Sequence, residues 1–238
     1  MKSQQLVKTS GALVTLGVIV MGGMLIRYER VHADDDDQEA KVRIGFQIAP
    51  VHLNLAGKDR DLVGLGSYIV NAQADCNGCH SLFLPPPNGV PTDFTPAGNP
   101  YLLRPPSGPF TGKIVVNPAT YLGGGNDFGP LGAGPDIVSR NLTPDRTGRP
   151  EGGHTFSEFR QILRTGVDMD HLHPSCSATI TTNCLPAPFN GAILQIMPWP
   201  IYKNMSDHDI RAIYEYLRAI PCIDTVVAGQ PQLRNDCH

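Results

Sequence analysis

The sequence predicts an all-α fold in which long, irregular loops separate the helices. Three segments place apolar residues at the spacing of one helix face, and two of them begin with a capping signal. The stretch between the first two segments is only weakly periodic, with nine prolines in 85–109 and six glycines in 123–134. Loops of this length in a compact domain are usually functional or wrap something.

The first predicted helix runs from about Asp61 to Asn71, and its apolar residues share one face with Gly66 among them. The second covers Phe156–Arg164, where Thr155 and Glu158 form a capping box. Both helices therefore have one face that is suited to a core.

The third predicted helix, Asp207–Ala219, has the clearest signals. Ser206 is its N-cap, and Pro221 ends it. Its apolar stripe consists of Ile210, Ile213, Tyr214, Leu217 and Ile220. The pattern predicts that this helix packs one face against the others.

The composition excludes several classes of protein. Hydrophobic residues make up 41% and charged residues 17% of the 238 residues, which allows a packed core and argues against a charged disordered chain. The net charge of −3 provides no electrostatic basis for binding nucleic acid, so we expect no nucleic-acid partner. The glycine-rich stretch lacks a following Gly-Lys-Ser/Thr, which argues against a phosphate-binding loop.

Residues 1–33 have the pattern of an export signal. Lys2 and Lys8 precede an uncharged stretch, 9–26, which is mostly apolar at its centre. Val31-His32-Ala33 then places small residues at the two positions that a signal peptidase reads. The pattern predicts a protein of the periplasm or of the outer face of the cytoplasmic membrane.

The same segment also fits a retained membrane anchor through 9–26, at the short end of the length that spans a bilayer. Arg27 and Arg30 follow the apolar run, which is unusual for a cleaved signal peptide and also runs against the positive-inside tendency. Cleavage and retention therefore both stay open. Residues 34–59 follow as a linker or N-terminal extension.

The motif that carries chemistry is Cys76-Asn77-Gly78-Cys79-His80. A Cys-x-x-Cys-His run is the attachment site of a c-type haem. Two thiols three residues apart on one turn of chain can form thioethers with the two vinyl groups along one edge of the porphyrin, and His80 then falls under the iron as a ligand. The sequence therefore predicts one covalent haem c with its iron.

Two other uses of Cys76 and Cys79 fit less well. A structural zinc site needs a second pair at finger or ribbon spacing, and a thioredoxin-type pair sits in a βαβ context. The other four cysteines are an even number in an oxidising compartment. Local bridges Cys176–Cys184 and Cys222–Cys237 are the simplest of their three pairings, and free buried thiols are the alternative.

His80 leaves one axial position of the iron to be filled. Cytochromes that only pass electrons commonly fill it with methionine, and Met197 is the candidate because the following Pro-Trp-Pro run stiffens its segment. Met205 is the second candidate, although it abuts the cap of the third helix. His171 and His173, two histidines before a proline, are a third possibility.

Further segments occur in order along the chain: Gly66–Val70 before the cysteine motif, Asn141-Leu142-Thr143-Pro144-Asp145, Phe156–Phe159 through Arg164–Gly166, Met197-Pro198-Trp199-Pro200, and Met205–Leu217. Over roughly 60–221 the chain resembles class I (monohaem) cytochromes c. Within that family it is similar to the haem modules in cytochrome c subunits of bacterial membrane alcohol and gluconate dehydrogenases.

The resemblance implies a class I cytochrome c fold around one covalent haem in 60–221, with iron ligands His80 and Met197. It also implies that the first and last helices cross, with Gly66 against Tyr216 or Tyr214.

The chain departs from the related subunits in three ways. It has one haem motif where they usually have three. It has a loop-rich insertion at 82–135, and its extension 222–238 carries two cysteines that a disulfide would tie.

The predicted function is electron transfer rather than catalysis, within an exported respiratory or other redox chain. Its partners would be redox proteins, among them a membrane dehydrogenase, an oxidase or a photosynthetic complex. The alternative is a haem enzyme or gas sensor with an open sixth iron site, in which His171 or His173 would serve as the distal acid–base group.

Overall fold

The computed structural model describes residues 36–80, 118, 121–224 and 237. The chain divides into two compact units, 1–41 and 42–238, and of the first unit only 36–41 are described, as helix. The predicted leader, 1–33, lies outside the described residues, as does most of the insertion 82–135. Within the described ranges, no helix combines the length and the apolar character that crossing a membrane requires.

The second unit is mostly helical with little strand, which agrees with the all-α prediction. Two short strands form one antiparallel pair, and a π-helical turn, Ile69–Gln73, follows α2. In chain order the elements are α1 (42–48), α2 (Arg60–Tyr68), α3 (Cys76–Cys79), β1 (Asp127–Pro130), β2 (Asp136–Val138), α4 (Pro150–Gly153), α5 (Phe156–Thr165), α6 (Trp199–Tyr202) and α7 (Asp207–Ala219).

The centre of the unit is the crossing of α2 and α7, where Gly66 lies directly against the α7 backbone. A Cβ added to Gly66 would overlap the carbonyl of Ala212 and lie 2.7 Å from the Cβ of Tyr216. The predicted contact between Gly66 and Tyr216 is therefore confirmed. Tyr214 instead packs its ring against the two phenylalanines of α5, with centroids 5.5 and 5.6 Å away.

Helices α2, α5 and α7 bury their apolar faces in one core, as their sequence patterns predict. The buried members of this core include Val63, Leu65, Phe159, Leu163, Ile210, Ile213 and Leu217. Burying each such side chain contributes about 1.5–3 kcal/mol relative to leaving it exposed. The burial of these faces fixes how the three helices lie around the site described below.

Three hydrogen-bonded polar side chains inside the core link the π-helical turn to α7. The hydroxyl of Tyr121 donates to Oδ1 of Asn71 at 2.5 Å and lies 2.8 Å from the hydroxyl of Tyr216. Nδ2 of Asn71 also donates to the Tyr216 hydroxyl at 3.2 Å. Because buried polar atoms are costly without partners, this closed set of hydrogen bonds fixes the three side chains relative to one another.

The predicted caps of α5 and α7 are confirmed. The backbone N–H of Thr155 donates to Glu158 Oε2 at 2.7 Å, and the Thr155 hydroxyl accepts from the Glu158 N–H at 3.4 Å. Oγ of Ser206 accepts from the Asp209 N–H at 3.0 Å at the start of α7. Helix α5 ends at Gly166, whose φ of +69° is the left-handed conformation that glycine adopts at little cost.

The predicted linker or N-terminal extension, 34–59, contains helix that its sequence pattern does not predict. Gly45 of α1 lies against the carbonyl of Gly64 in α2, and the Ser67 hydroxyl donates to the Gly45 carbonyl at 2.7 Å. Further along, the Asn54 N–H donates to the carbonyl of Ala219 at 2.8 Å. Residues 42–59 therefore belong to the packed unit.

Both predicted disulfides are present, Cys176–Cys184 and Cys222–Cys237, with S–S distances of 2.07 and 1.98 Å. The described start of the C-terminal extension is also held by hydrogen bonds at Ile223. Its carbonyl accepts from Nδ2 of Asn141 at 2.7 Å, and its N–H donates to Oγ1 of Thr143 at 3.0 Å. The extension is thus fastened to the Asn-Leu-Thr-Pro-Asp segment.

Candidate functional site

A large cavity with mostly apolar walls lies between the described helices and loops. Its lining includes Cys76, Cys79, His80 and Met197, so the four sequence-predicted site residues border one space. The apolar walls come from β2, α5, α7 and the loops beside them, and include Ile137, Leu142, Phe159, Leu163, Leu185, Ile193, Ile213 and Leu217. Such a concave, apolar space with a few polar groups is typical of cofactor sites.

The cysteine motif forms the single helical turn α3, which begins after a sharp bend in the chain. Asp75 has φ +48°, a conformation uncommon outside glycine, and the His80 N–H donates to the Cys76 carbonyl at 2.9 Å. A Cβ on Gly78 would lie 2.6 Å from Oδ2 of Asp75. The glycine in the motif therefore lets the Asp75 side chain fold back over the turn.

Cys76 and Cys79 are free thiols on the cavity wall. Burial, followed by the charges of Asp75 and Cys79, raises the pKa of Cys76 to about 12. Burial and Asp75 also raise the pKa of Cys79. Both groups are therefore protonated thiols at neutral pH, with little of the thiolate that thiol–disulfide exchange and zinc binding need.

One ring nitrogen of His80 already makes a hydrogen bond within the protein. Its Nδ1 lies 2.8 Å from the carbonyl oxygen of Arg140, and because a carbonyl only accepts, Nδ1 carries the hydrogen. The lone pair is then on Nε2. Burial lowers the pKa of His80, with the hydrogen bond to Arg140 opposing it, so the ring is neutral at neutral pH. A neutral imidazole oriented by a backbone carbonyl is the usual arrangement of a metal-ligating histidine.

Met197 lies on a short segment that two neighbours hold in place. The Trp199 N–H donates to the Met197 carbonyl at 2.8 Å, and the Trp199 indole donates to the Leu194 carbonyl at 3.1 Å. The indole packs directly over Gly166, where a side chain would collide with it. The half-buried Met197 also packs against the core, so its thioether is held at the cavity wall.

The cavity also brings together two of the other ligand candidates. Met205 and His173 both line it, whereas His171 does not belong to its lining. Nδ1 of His173 is buried, and no hydrogen-bond partner for it exists among the residues that the structure describes. The choice of sixth ligand among Met197, Met205 and His173 therefore stays a prediction.

The donor set fits a haem iron. One neutral imidazole and one thioether lie on the wall of an apolar cavity, and two free thiols sit beside the imidazole on one turn of chain. The same set does not resemble a structural zinc site, which needs four closely placed thiolate or imidazole ligands.

A group of charged residues at the cavity wall was not predicted from the sequence. Arg140, Glu151 and Asp168 line it, and the Arg140 guanidinium donates to Asp168 and to Asp170. Burial lowers the pKa of Arg140, but the neighbouring carboxylates outweigh that effect and raise it overall. These residues lie in loops or in the single turn α4, without periodicity, and the only available signal was that Arg140 directly precedes the Asn-Leu-Thr-Pro-Asp segment.

Comparison with known proteins gives partial matches. No protein-family model matches the chain, and no solved structure matches it. The cytochrome c subunit of the quinone-type alcohol dehydrogenase of Gluconobacter oxydans (strain 621H) is 30% identical over 99 residues, which is 40% of this chain. The corresponding subunit of Komagataeibacter europaeus is 29% identical over 97 residues.

The chain covers only 15% and 16% of the length of these two relatives. The likeness therefore concerns one part of much longer subunits and does not extend to their whole activity. Together with the Cys-x-x-Cys-His turn on an apolar cavity, these matches support a cytochrome c-like relationship for the matched part of the chain.

Proposed function

We propose that the protein is an electron-transfer cytochrome of the c type, with one covalent haem c. Cys76 and Cys79 would form the thioethers, and His80 and Met197 would ligate the iron. The observation that carries the proposal is the α3 turn, which has two free thiols and a carbonyl-oriented, neutral imidazole on the wall of one apolar cavity. Haem supplies the one-electron chemistry between ferric and ferrous iron.

The chain's own residues would set the reduction potential of the haem. The Arg140 carbonyl orients His80 and increases the electron donation of its ring. The apolar walls exclude water and disfavour the more highly charged ferric state, and a thioether ligand likewise raises the reduction potential. Because His80 and Met197 would both ligate the iron, no ligand site would be left for a substrate, and the protein would be a carrier and not itself an enzyme.

The partners would be redox proteins on the exported side of the cytoplasmic membrane. The names of the relatives point to a quinone-type alcohol dehydrogenase as one class of complex. An oxidase or a photosynthetic complex would use the same chemistry. The pattern of 1–33 supports a periplasmic or outer-face location, with the chain either free or anchored through 9–26.

The proposal is tested by mass spectrometry and absorption spectroscopy of the protein expressed in a host that assembles c-type cytochromes. We expect the mass of one haem added to the polypeptide and a low-spin c-type spectrum on reduction. The same mass reports whether the leader is cleaved. A colourless protein whose Cys76 and Cys79 react with iodoacetamide would reject the proposal.

Met197→Ala tests the sixth ligand. Without the thioether we expect loss of the low-spin ferric state, loss of the weak far-red methionine–iron band, and a lower reduction potential, because methionine ligation favours ferrous iron. The measurements are the ferric spectrum and a redox titration. Met205→Ala is the matched control and should retain the band. An unchanged potential in Met197→Ala would move the assignment to Met205 or His173.

The second candidate is a haem enzyme or gas sensor with an open iron site. His173 favours it, since this side chain lines the cavity and its buried Nδ1 has no partner within the described part of the chain. Rapid binding of carbon monoxide or cyanide by the resting wild-type protein would support this candidate. Slow or absent binding, together with the methionine–iron band, would support the carrier.

A further inference from the structure

A cluster of ionisable side chains lies beside the cavity, and electron transfer alone does not require it. We call it the Arg140 cluster: Arg140, Glu151, His154, Asp168 and Asp170. Nη1 of Arg140 lies 2.6 Å from Oδ2 of Asp170, its Nη2 binds Asp168, and Nε2 of His154 lies 3.6 Å from Oδ1 of Asp170. Two of the three carboxyl groups thus bind the one permanent cation, so the fully ionised cluster has excess negative charge.

Glu151 differs from the other two carboxyl groups of the cluster, both of which form an ion pair with Arg140. It is only 5% exposed and lines the cavity, and Arg140 and His154 act on its carboxyl group through their charges rather than through a hydrogen bond. Its φ of +50° is uncommon for a residue with a side chain. The Pro-Glu-Gly-Gly turn therefore holds a buried carboxyl group at the cavity wall in an unfavourable backbone conformation.

The surroundings of Glu151 favour its neutral form. Burial raises the pKa of Glu151, Arg140 and His154 oppose this, and Asp170 and Asp168 reinforce it. The pKa is raised overall, because burial of an ionised carboxylate is costly without hydrogen bonds.

The other carboxyl groups near α4, and Arg218, already have partners. Arg218 of α7 pairs with Glu215 at 2.9 Å, and its Nε donates to the Gly148 carbonyl at 3.2 Å. Glu158 accepts hydrogen bonds from Thr155, and its Oε2 lies 3.9 Å from Nδ1 of His154. Glu151 is therefore the buried carboxyl group in this region that is best able to change protonation.

We propose that Glu151 is a redox-linked proton site, which binds one proton when the haem gains an electron and releases it when the electron leaves. This inference rests on the proposed haem function. The electron comes from a donor protein, or from dithionite in the test, and reduces ferric to ferrous iron. The proton comes from solvent and forms the O–H bond of the carboxylic acid, and no other bond changes.

The coupling follows from electrostatics in a low-dielectric space. An electron added to a haem in the cavity makes that space more negative, and a carboxylate on the same wall is then harder to ionise. The pKa of Glu151 is therefore higher in the reduced than in the oxidised protein. Between these two pKa values the reduction potential falls as the pH rises, since deprotonation then opposes reduction.

The test is a spectroelectrochemical titration of the holoprotein as a function of pH, for the wild type, Glu151→Gln and Asp136→Asn. Asp136 is an exposed carboxylate at the start of β2, so its variant is the matched control. We expect wild type and Asp136→Asn to show a pH range in which the potential falls with a slope approaching one proton per electron. Glu151→Gln should lose that slope.

The outcomes separate this inference from the proposed function. A flat wild-type profile, or a slope that persists in Glu151→Gln, overturns the Glu151 site while a normal c-type spectrum leaves the haem in place. If Glu151→Gln yields no holoprotein, two other measurements decide whether Glu151 is the proton site. Glu151→Asp should shift the sloping range along the pH axis, and the reduced-minus-oxidised infrared spectrum of the wild type should gain a protonated-carboxyl band that moves in deuterium oxide. An unshifted range, or the absence of that band, overturns the site.

Discussion

Replacing His80 with alanine is expected to abolish the stable pigmented protein. The imidazole is the proposed proximal ligand, and its Nδ1–H is the donor to the Arg140 carbonyl. The substitution therefore removes an iron–nitrogen bond and leaves a buried acceptor without its donor. Because a covalent cofactor would also fill the central cavity, its loss should leave the surrounding helices without much of their core. Haem-stained gels and the absorption spectrum measure the result, and pigment should fall to background.

The control is His208→Ala, since His208 lies in the first turn of α7 with a half-exposed side chain. This variant should accumulate as pigmented protein at the wild-type level. A normal low-spin spectrum and covalent haem in His80→Ala would contradict the assignment of the proximal ligand. Equal loss of pigment in both variants would point instead to a general failure of expression.

Gly66→Ala is expected to produce a large loss of stability in the helical scaffold. The added methyl group has no room, because it would overlap the backbone carbonyl of Ala212 and lie against Tyr216. A backbone obstacle cannot rotate away, so α2 and α7 must separate. Overpacking of this kind typically costs about 1–3 kcal/mol. Thermal unfolding of the holoprotein, followed by circular dichroism, should show a Tm lower by several degrees.

Asp61→Ala is the control for this substitution, because Asp61 is an exposed residue of the same helix. It should change the Tm little, since exposed positions away from special features usually shift stability by at most about 0.5 kcal/mol. If Gly66→Ala unfolded at the wild-type temperature, the close crossing of α2 and α7 would not be the structural centre of the protein.

The sequence predicted those parts of the fold that are determined by signals between residues close together in the chain. The capping box at Thr155 and the cap at Ser206 are decided within four residues, and both are found in the structure. Helix α1 gave no such signal, since Gly45 weakens a helix interior. A tertiary contact explains the glycine in this helix, because Gly45 lies close against the backbone of Gly64. That contact cannot be predicted from the local sequence pattern.

The candidate site divides in the same way. The motif from Cys76 to His80 is contiguous, so its spacing alone indicates its chemistry, and the chain folds it onto the cavity together with Met197. Arg140 reaches the same cavity from an irregular loop, and Glu151 from the short turn α4, both far along the chain. Charged loop residues are ordinarily solvated, and only the three-dimensional arrangement distinguishes these two.

The packing of α2 against α7 has a consequence for how the chain folds. The two helices are close neighbours in space, although 145 residues separate Gly66 from Ala212. Contacts between such distant partners pay a large loop-closure entropy and slow the search for the native topology. The turn with Cys76 and Cys79 precedes α7 in the chain, so it would remain accessible to an enzyme that attaches the proposed haem until α7 packs against α2.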